Sequence, residues 1–303
     1  MFDWNDLKYF LAVAQHGSTL SAAKSLRVNQ STVHRRIQEL ERQLGCALVS
    51  RHPTGYRLSE MGEHIRARAS RVEAAAADFE RAVSAKSSEL KGTVKITCPE
   101  ALGPRLIASR LIEKFNARYP DVRVEFVMSD KILALGSGDA DIAIRGKRPV
   151  ESGLVGRKIA DTPWAVFASR SYVKRHGKIE SAAQIDHHSV VVFAGPLSDH
   201  PAARMLKTIA PNAQVAARAD SIAALLPSVK SGAGIALMPV VVGKNEKDLV
   251  QILDLGSGMA TPVYLLTHRD LRRTPRVRAF FDFIIEHLKD VRPLLSPGRG
   301  ERR

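Results

Sequence analysis

Around residue 90 the spacing of apolar residues changes, and a chain with such a change cannot be one uniform fold. Before "SSELKGT" at 87–93 the apolar positions recur every three or four residues, which lays them on one face of a helix. After it, short β-rich runs alternate with helical stretches: "TVKITC", "RLIASRLIEKFNARYP", "VRVEFVM", "ADIAIR", "WAVFAS", "SVVVF". Strand and helix in alternation imply parallel sheets covered by helices. The pattern predicts a helical region, a linker, and roughly 210 residues of α/β structure, enough for two lobes with a cleft between them.

Within the helical region, Asp3 or Asn5 can cap a first helix through Leu7, Phe10, Leu11 and Ala14, closed by Gly17. Ser18 or Thr19 can cap a short second helix through "LSAAKSL". After a turn at Val28 and Asn29, the residues Val33, Ile37, Leu40 and Leu44 give a third helix one apolar face, and Gly45 stops it. "ALVSRHPTGYRLSEMG" reads as two extended pieces joined by a Pro and Gly turn, a small hairpin or wing. From Ser59 a helix of roughly 30 residues follows, in which Ile65, Ala69, Val72, Ala76, Phe79 and Val83 alternate spacings of four and three. That is the seam of a two-stranded coiled coil, its alanines permit close approach, and it predicts a homodimer.

The net charge of +15 suggests a polyanionic partner, yet residues 1–91 hold 14 basic and 10 acidic side chains, an excess of only 4. Bulk charge does not single out the helical region, but local clustering does. Lys24, Arg27, Arg35 and Arg36 fall between residues 24 and 38 with no acid among them. Helix, tight turn, helix and wing over 18–57 have the order of a winged helix-turn-helix, whose second helix enters the major groove by its amino-terminal residues. Gln30, Ser31, His34 and Arg35 stand there as candidates for base edges, glutamine suiting adenine and arginine guanine. Thr19, Ser31, Thr32, Arg36, Thr54 and Arg57 are placed to meet phosphates, which fixes register without reading sequence. One arginine-bearing helix would more often be a solvated face. The neighbouring helix and wing favour DNA.

Other classes find little support. No apolar run reaches the roughly 20 residues needed to cross a bilayer, and the amino terminus offers Asp3 and Asp6 where a signal peptide would be basic, so a cytoplasmic protein is expected. Cys46 and Cys98 belong to no metal-ligand pattern, and His187 with His188 has no matching acid or cysteine cluster, so neither metal nor resident cofactor is expected. "GSGDADI" lacks the nucleotide-binding glycine spacing, and no serine, histidine and acid set stands out as catalytic. The end "RPLLSPGRGERR" reads as a basic flexible tail.

The segment "LKYFLAVAQHGSTLSAAKSLRVNQSTVHRRIQELERQLGCALVSRHPTGYRLSEMG" resembles the amino-terminal domain of the LysR-type transcriptional regulators. The likeness rests on Phe10, Gly17–Ser18, Ala22–Ala23, "NQSTV" followed by "RRI", Leu40–Glu41, Leu44–Gly45, and Leu58, Glu60 and Gly62. "GTVKIT", "F…YPDV", "GDADIAIRG" and "SGAGIALMP" fall where that family's effector domain carries similar stretches, so the resemblance covers nearly the whole chain. It implies a multidomain architecture: a winged helix-turn-helix at 1–58, a linker and dimerisation helix at 59–91, and a two-lobed, periplasmic-binding-protein-like α/β effector domain at 92–303. Lobe I would take 92–160 and 266–292, lobe II 161–265, and the tail 293–303. It further implies a homodimer, with pairing into a tetramer left open, that binds double-stranded promoter DNA, answers to an unidentified small-molecule effector, and contacts RNA polymerase if it activates. The family often carries proline where Ser31 stands and serine where His34 stands, so the operator sequence is not transferred.

Effector contacts are expected in loops just after strands. Cys98, Glu100 and Ala101 in "CPEALG", Ser129, and Arg145 after "DIAI" would face Phe193 and Ala194 of the other lobe. Arg145 suits either a bidentate grip on a carboxylate or an internal ion pair. Cys98 suits either redox sensing or packing as a small apolar side chain. The competing reading of the whole chain is a ligand-binding or enzymatic α/β protein whose basic helix meets a protein partner.

Overall fold

The structure, a computed structural model, describes residues 2–52, 55–86, 89–130, 133, 135, 139–146, 153–255 and 259–296, without the side chains of 51, 77, 78, 80–86 and 196. It divides into two compact units, Met1–Ala82 and Val83–Arg303.

The first unit opens with α1 (Asp6–His16), which Gly17 closes at φ 69°, a left-handed cap that glycine adopts without steric cost. Ser18 Oγ then accepts the Ser21 N–H at 3.0 Å and starts α2 (Thr19–Leu26). Arg27, at φ 55°, ends α2 in the left-handed region and sets up the tight turn into α3 (Gln30–Leu44). Val33, Ile37 and Leu40 are buried as the spacing predicts, whereas Leu44 at the helix end is 37% exposed. The wing forms from β1 (Val49–His52) and β2 (Gly55–Leu58), antiparallel from Val49↔Leu58 to His52↔Gly55. Glu41 anchors it to α3, its Oε1 accepting the N–H groups of Leu48 and Val49 at 2.7 and 3.0 Å. α4 (Glu60–Lys86) follows, and its first turns close the core: Ala69 is buried with Leu7, Phe10, Leu40 and Leu48, with Ile65 and Val72 packed against them. Each such large side chain taken from water contributes about 1.5–3 kcal/mol.

In the second unit, β3 (Gly92–Cys98), α5 (Gly103–Ile107), α6 (Leu111–Arg118), β4 (Val122–Met128) and β5 (Ile142–Arg145) begin lobe I. β6 (Leu154–Ser169) leaves it for lobe II, built from α7 (Arg170–His176), α8 (Ala182–Ile185), β7 (Ser189–Phe193), α9 (Pro201–Ile209), β8 (Gln214–Ala219), α10 (Ile222–Lys230), β9 (Ala236–Pro239), α11 (Val240–Gly243) and β10 (Leu249–Asp254). β11 (Ala260–His268), α12 (Pro275–Glu286) and α13 (Leu288–Leu295) return to lobe I.

Four differences from the sequence reading stand out. The sheets are mixed: β3, β4 and β5 run parallel, but β11 pairs antiparallel with both β5 and β6, and β9 and β10 pair antiparallel with β6. β6 is one 16-residue strand whose first half pairs with β11 up to Pro163 and whose second half pairs with β9 and β10 from Trp164, so the lobes exchange at Pro163–Trp164 and lobe I resumes at Ala260. The helix expected through "RLIASRLIEKFNAR" breaks into α5 and α6, and at the break Ser109 Oγ donates to Leu106 O at 2.6 Å, a local bond that competes with the helical ladder. Finally, the tail begins later than expected: α13 carries the chain to Leu295, whose side chain is buried and whose carbonyl accepts the Thr162 hydroxyl at 2.7 Å. Arg105 adds to this clasp, donating to Leu294 O and Val241 O, both at 2.9 Å.

Phe115 lies in the lobe I core with Phe280 and Phe283 edge-on at 5.0 and 5.3 Å, a favourable quadrupole arrangement that joins α6 to α12. In lobe II, β7 and β8 run parallel, and the Val191 N–H donates to Ile235 O at 2.8 Å just before β9.

Candidate nucleic-acid interface and effector cleft

The amino-terminal turn of α3 presents Gln30, Ser31 and Arg35 exposed, with His34 and Thr32 half-buried beside them. This is the second helix of the helix-turn-helix pair, with the wing next to it, so the four base-edge candidates do share one end of one helix. Two are steadied by neighbours. Gln30 Nε2 donates to Thr19 Oγ1 at 3.0 Å, and His34 Nδ1 lies 3.4 Å from the Tyr56 hydroxyl of β2. Tyr56 escaped the sequence reading, because pairing between the wing and α3 is set by tertiary contact and leaves no periodic signal.

The phosphate candidates divide. Arg57 is exposed on β2, and Thr54 lies outside the described residues. Thr19 and Arg36 need correcting. Thr19 is 3% exposed and holds Gln30, so it faces inward. Arg36 is drawn onto α1, donating from Nη1 to the fully buried Asp6 at 3.3 Å and pairing with Asp3 at 3.5 Å. Burial raises the Asp6 carboxyl above its usual range, while Arg36 opposes that rise. Of the coiled-coil positions, Ile65, Ala69 and Val72 are taken up by the unit's own core, whereas Ala76 is exposed and Phe79 is 72% exposed. The Val83 side chain lies outside the described residues.

In the second unit the ends of three strands converge. Arg145 at the end of β5 donates to Ser129 O after β4 at 3.0 Å and to Thr97 Oγ1 of β3 at 2.6 Å, while the Glu100 N–H donates to Asp130 Oδ1 at 3.3 Å. Thus Glu100, Ser129 and Arg145 gather as expected, with Ala101 half-buried beside them. Thr97 and Asp130 join them unforeseen. Burial lowers Arg145 from its usual value and raises Asp130, with the Glu100 N–H and Arg145 opposing the rise and Asp220 of lobe II adding to it. Cys98 needs correcting: it is fully buried in the lobe I core, and burial pushes its thiol up to about 11. From the other lobe, Phe193 stands edge-on to Trp164 at 6.1 Å, His200 tilts against Trp164 at 4.6 Å, and Ala194 is half-buried. The Trp164 indole N–H donates to Thr261, and a Cβ on Gly146 would sit 3.8 Å from the Thr261 methyl, so Thr261 stands between Trp164 and the residue that follows β5. Among the described residues no group of three or more His, Cys, Asp or Glu could hold a metal, and no helix is long and apolar enough to cross a membrane.

Comparison with known proteins matches both units to family models. Residues 4–63 match the bacterial regulatory helix-turn-helix protein model of the lysR family, and residues 87–289 match the LysR substrate binding domain. The chain is 30% identical over 288 residues to the regulator CrgA of Neisseria meningitidis serogroup C, covering 93% of this chain and 96% of that one. It is 29% identical over 296 residues to an HTH-type transcriptional regulator of Xanthomonas campestris, covering 94% and 86%. The solved CrgA structure superposes with a TM-score of 0.55 at 26% identity, covering 95% of this chain and 99% of that one. Full-length CbnR in complex with its target DNA superposes at 0.58 and 21% identity, a likeness of fold alone, covering 94% and 99%. The two family models fall on the helix-turn-helix unit and on the two-lobed unit, and the chain belongs to the LysR family of transcriptional regulators, which join a DNA-binding domain to an effector-binding domain and are not enzymes.

Proposed function

We propose that this regulator binds double-stranded promoter DNA as a homodimer, with Gln30, Ser31, His34 and Arg35 at base edges and Thr32, Thr54 and Arg57 at phosphates. The observation that carries the reading is the exposure of Gln30, Ser31 and Arg35 together at the amino-terminal turn of α3. Ala76 and Phe79 form the dimer seam, since an exposed phenylalanine on a 27-residue helix calls for a partner. A small molecule seated among Glu100, Ala101, Ser129, Arg145, Phe193 and Ala194 changes the relation of the lobes, and this alters how paired subunits sit on and bend DNA. Pairing of dimers into tetramers, contact with RNA polymerase when it activates, and a cytoplasmic location belong to the same proposal. DNase I footprinting on the DNA upstream of its own gene tests it. A protected tract with dyad symmetry is expected, and absence of any protection at moderate salt contradicts the proposal.

A further inference from the structure

We propose that Tyr56 fixes the tautomer of His34, so that the reading helix presents an Nε2–H donor and selects a base edge carrying acceptors. This rests on the reading of α3 as the base-contacting helix. A neutral imidazole has one N–H and one lone pair, and which nitrogen keeps the proton is set by the partner of the other. Tyr56 Oη stands 3.4 Å from His34 Nδ1. A phenolic O–H is a stronger donor than a neutral imidazole N–H, so its O–H points at the Nδ1 lone pair. The proton is then left on Nε2, at the tip of the ring.

The placement of Tyr56 is itself fixed at both ends of the residue. Its N–H donates to Gly17 O at 2.9 Å, tying β2 to the cap of α1. That approach is close enough that Gly55, at φ 131°, could not carry a side chain: its Cβ would stand 2.6 Å from Gly17 O. The Tyr56 ring packs on the cluster of Tyr9, Val13, Ala22, Val33 and Ile37, from which α3 rises. His34, half-buried and one turn into α3, is thereby braced by the wing, a role that serine at this position would not need.

In the major groove guanine offers N7 and O6, adenine N7 and thymine O4 as acceptors, whereas cytosine offers only its N4 donor. An Nε2–H therefore donates most readily to guanine, whose N7 and O6 both accept, and finds no acceptor on cytosine. Tyr56 is a positioning residue in this scheme and touches no base.

Binding-site selection from a randomised duplex pool, with the full-length wild type, Tyr56→Phe, His34→Ser and the double variant, tests the proposal. The wild type is expected to enrich guanine at one base pair of each half-site, where Tyr56→Phe loses about fivefold preference while other positions and the melting temperature hold. In the His34→Ser background, Tyr56→Phe is expected to change nothing at that base pair, which a general stabilising role of Tyr56 would not produce. No base-pair preference at any position that is lost on His34→Ser, an unchanged Tyr56→Phe profile, or an equal loss at every position would overturn the proposal. Failure of the wild type to enrich any sequence would instead overturn the DNA-reading assignment on which it rests.

Discussion

Arg36 Nη1 donates to Asp6 Oδ1 at 3.3 Å, joining α3 to α1 through a carboxylate that has no exposure to solvent. The pair is incomplete, since Asp6 Oδ2 and Arg36 Nε are both buried without a hydrogen-bond partner. Truncating Arg36 would leave Asp6 as a buried anion with no partner on α3. Arg36→Ala is therefore expected to destabilise the first unit by about 1–3 kcal/mol, the figure kept low because Arg36 is itself one-third exposed. Asp6→Asn combined with Arg36→Met should recover most of the loss. Denaturant melts of the three proteins check this, and an Arg36→Ala variant of native stability would return Arg36 to the phosphate contacts.

The same pair sets a pH dependence. Because burial raises the folded pKa of Asp6 above its unfolded value, its ionisation works against folding, and the stability it lends is full below the unfolded pKa and fades as pH rises through the folded one. Asp6→Asn is thus expected to gain on the wild type in melting temperature as pH climbs from about 4 toward neutrality. A difference that stays flat over that range would contradict it.

What was legible in the sequence was what repeats. Val33, Ile37 and Leu40 announce the buried face of α3, and the Pro and Gly turn announces the wing, because both follow from local geometry. What was not legible depends on partners far along the chain. Arg36 reads as a DNA cation until Asp6, 30 residues away, is seen to hold it. Cys98 reads as a strand-end residue at the cleft, but the last side chain of β3 turns to the core. The antiparallel return of β11 between β5 and β6 leaves no mark in the spacing, so the sheets were expected to be parallel.

Phe79 supplies a test of the dimer seam. Burying it against a second copy contributes about 1.5–3 kcal/mol per subunit, so Phe79→Asp is expected to shift the protein toward monomer in light scattering. A dimer of unaltered strength would move the interface elsewhere.

Cys98 is expected to be inert. With its thiol pushed up to about 11 by burial, Cys98 holds far less thiolate at pH 7 than an ordinary cysteine. In native protein, a thiol reagent should modify the half-buried Cys46 first and reach Cys98 only on unfolding. Equal rates for both thiols would revive a redox role.

Arg145 separates a ligand role from a structural one. Its guanidinium satisfies Thr97 Oγ1 and Ser129 O, so Arg145→Ala should cost the second unit about 1–3 kcal/mol even without effector. A melting temperature equal to wild type would mark Arg145 as a side chain reserved for ligand.

The central claim is that the amino-terminal turn of α3 reads bases. Fluorescence anisotropy of wild type and Arg35→Ala, each on the protected upstream site and on random duplex across a salt series, tests it most directly. The account predicts that Arg35→Ala weakens binding to the specific site by about 1–3 kcal/mol and narrows its preference over random DNA, with binding to random duplex little changed. Equal preference for the specific site in both proteins would contradict it.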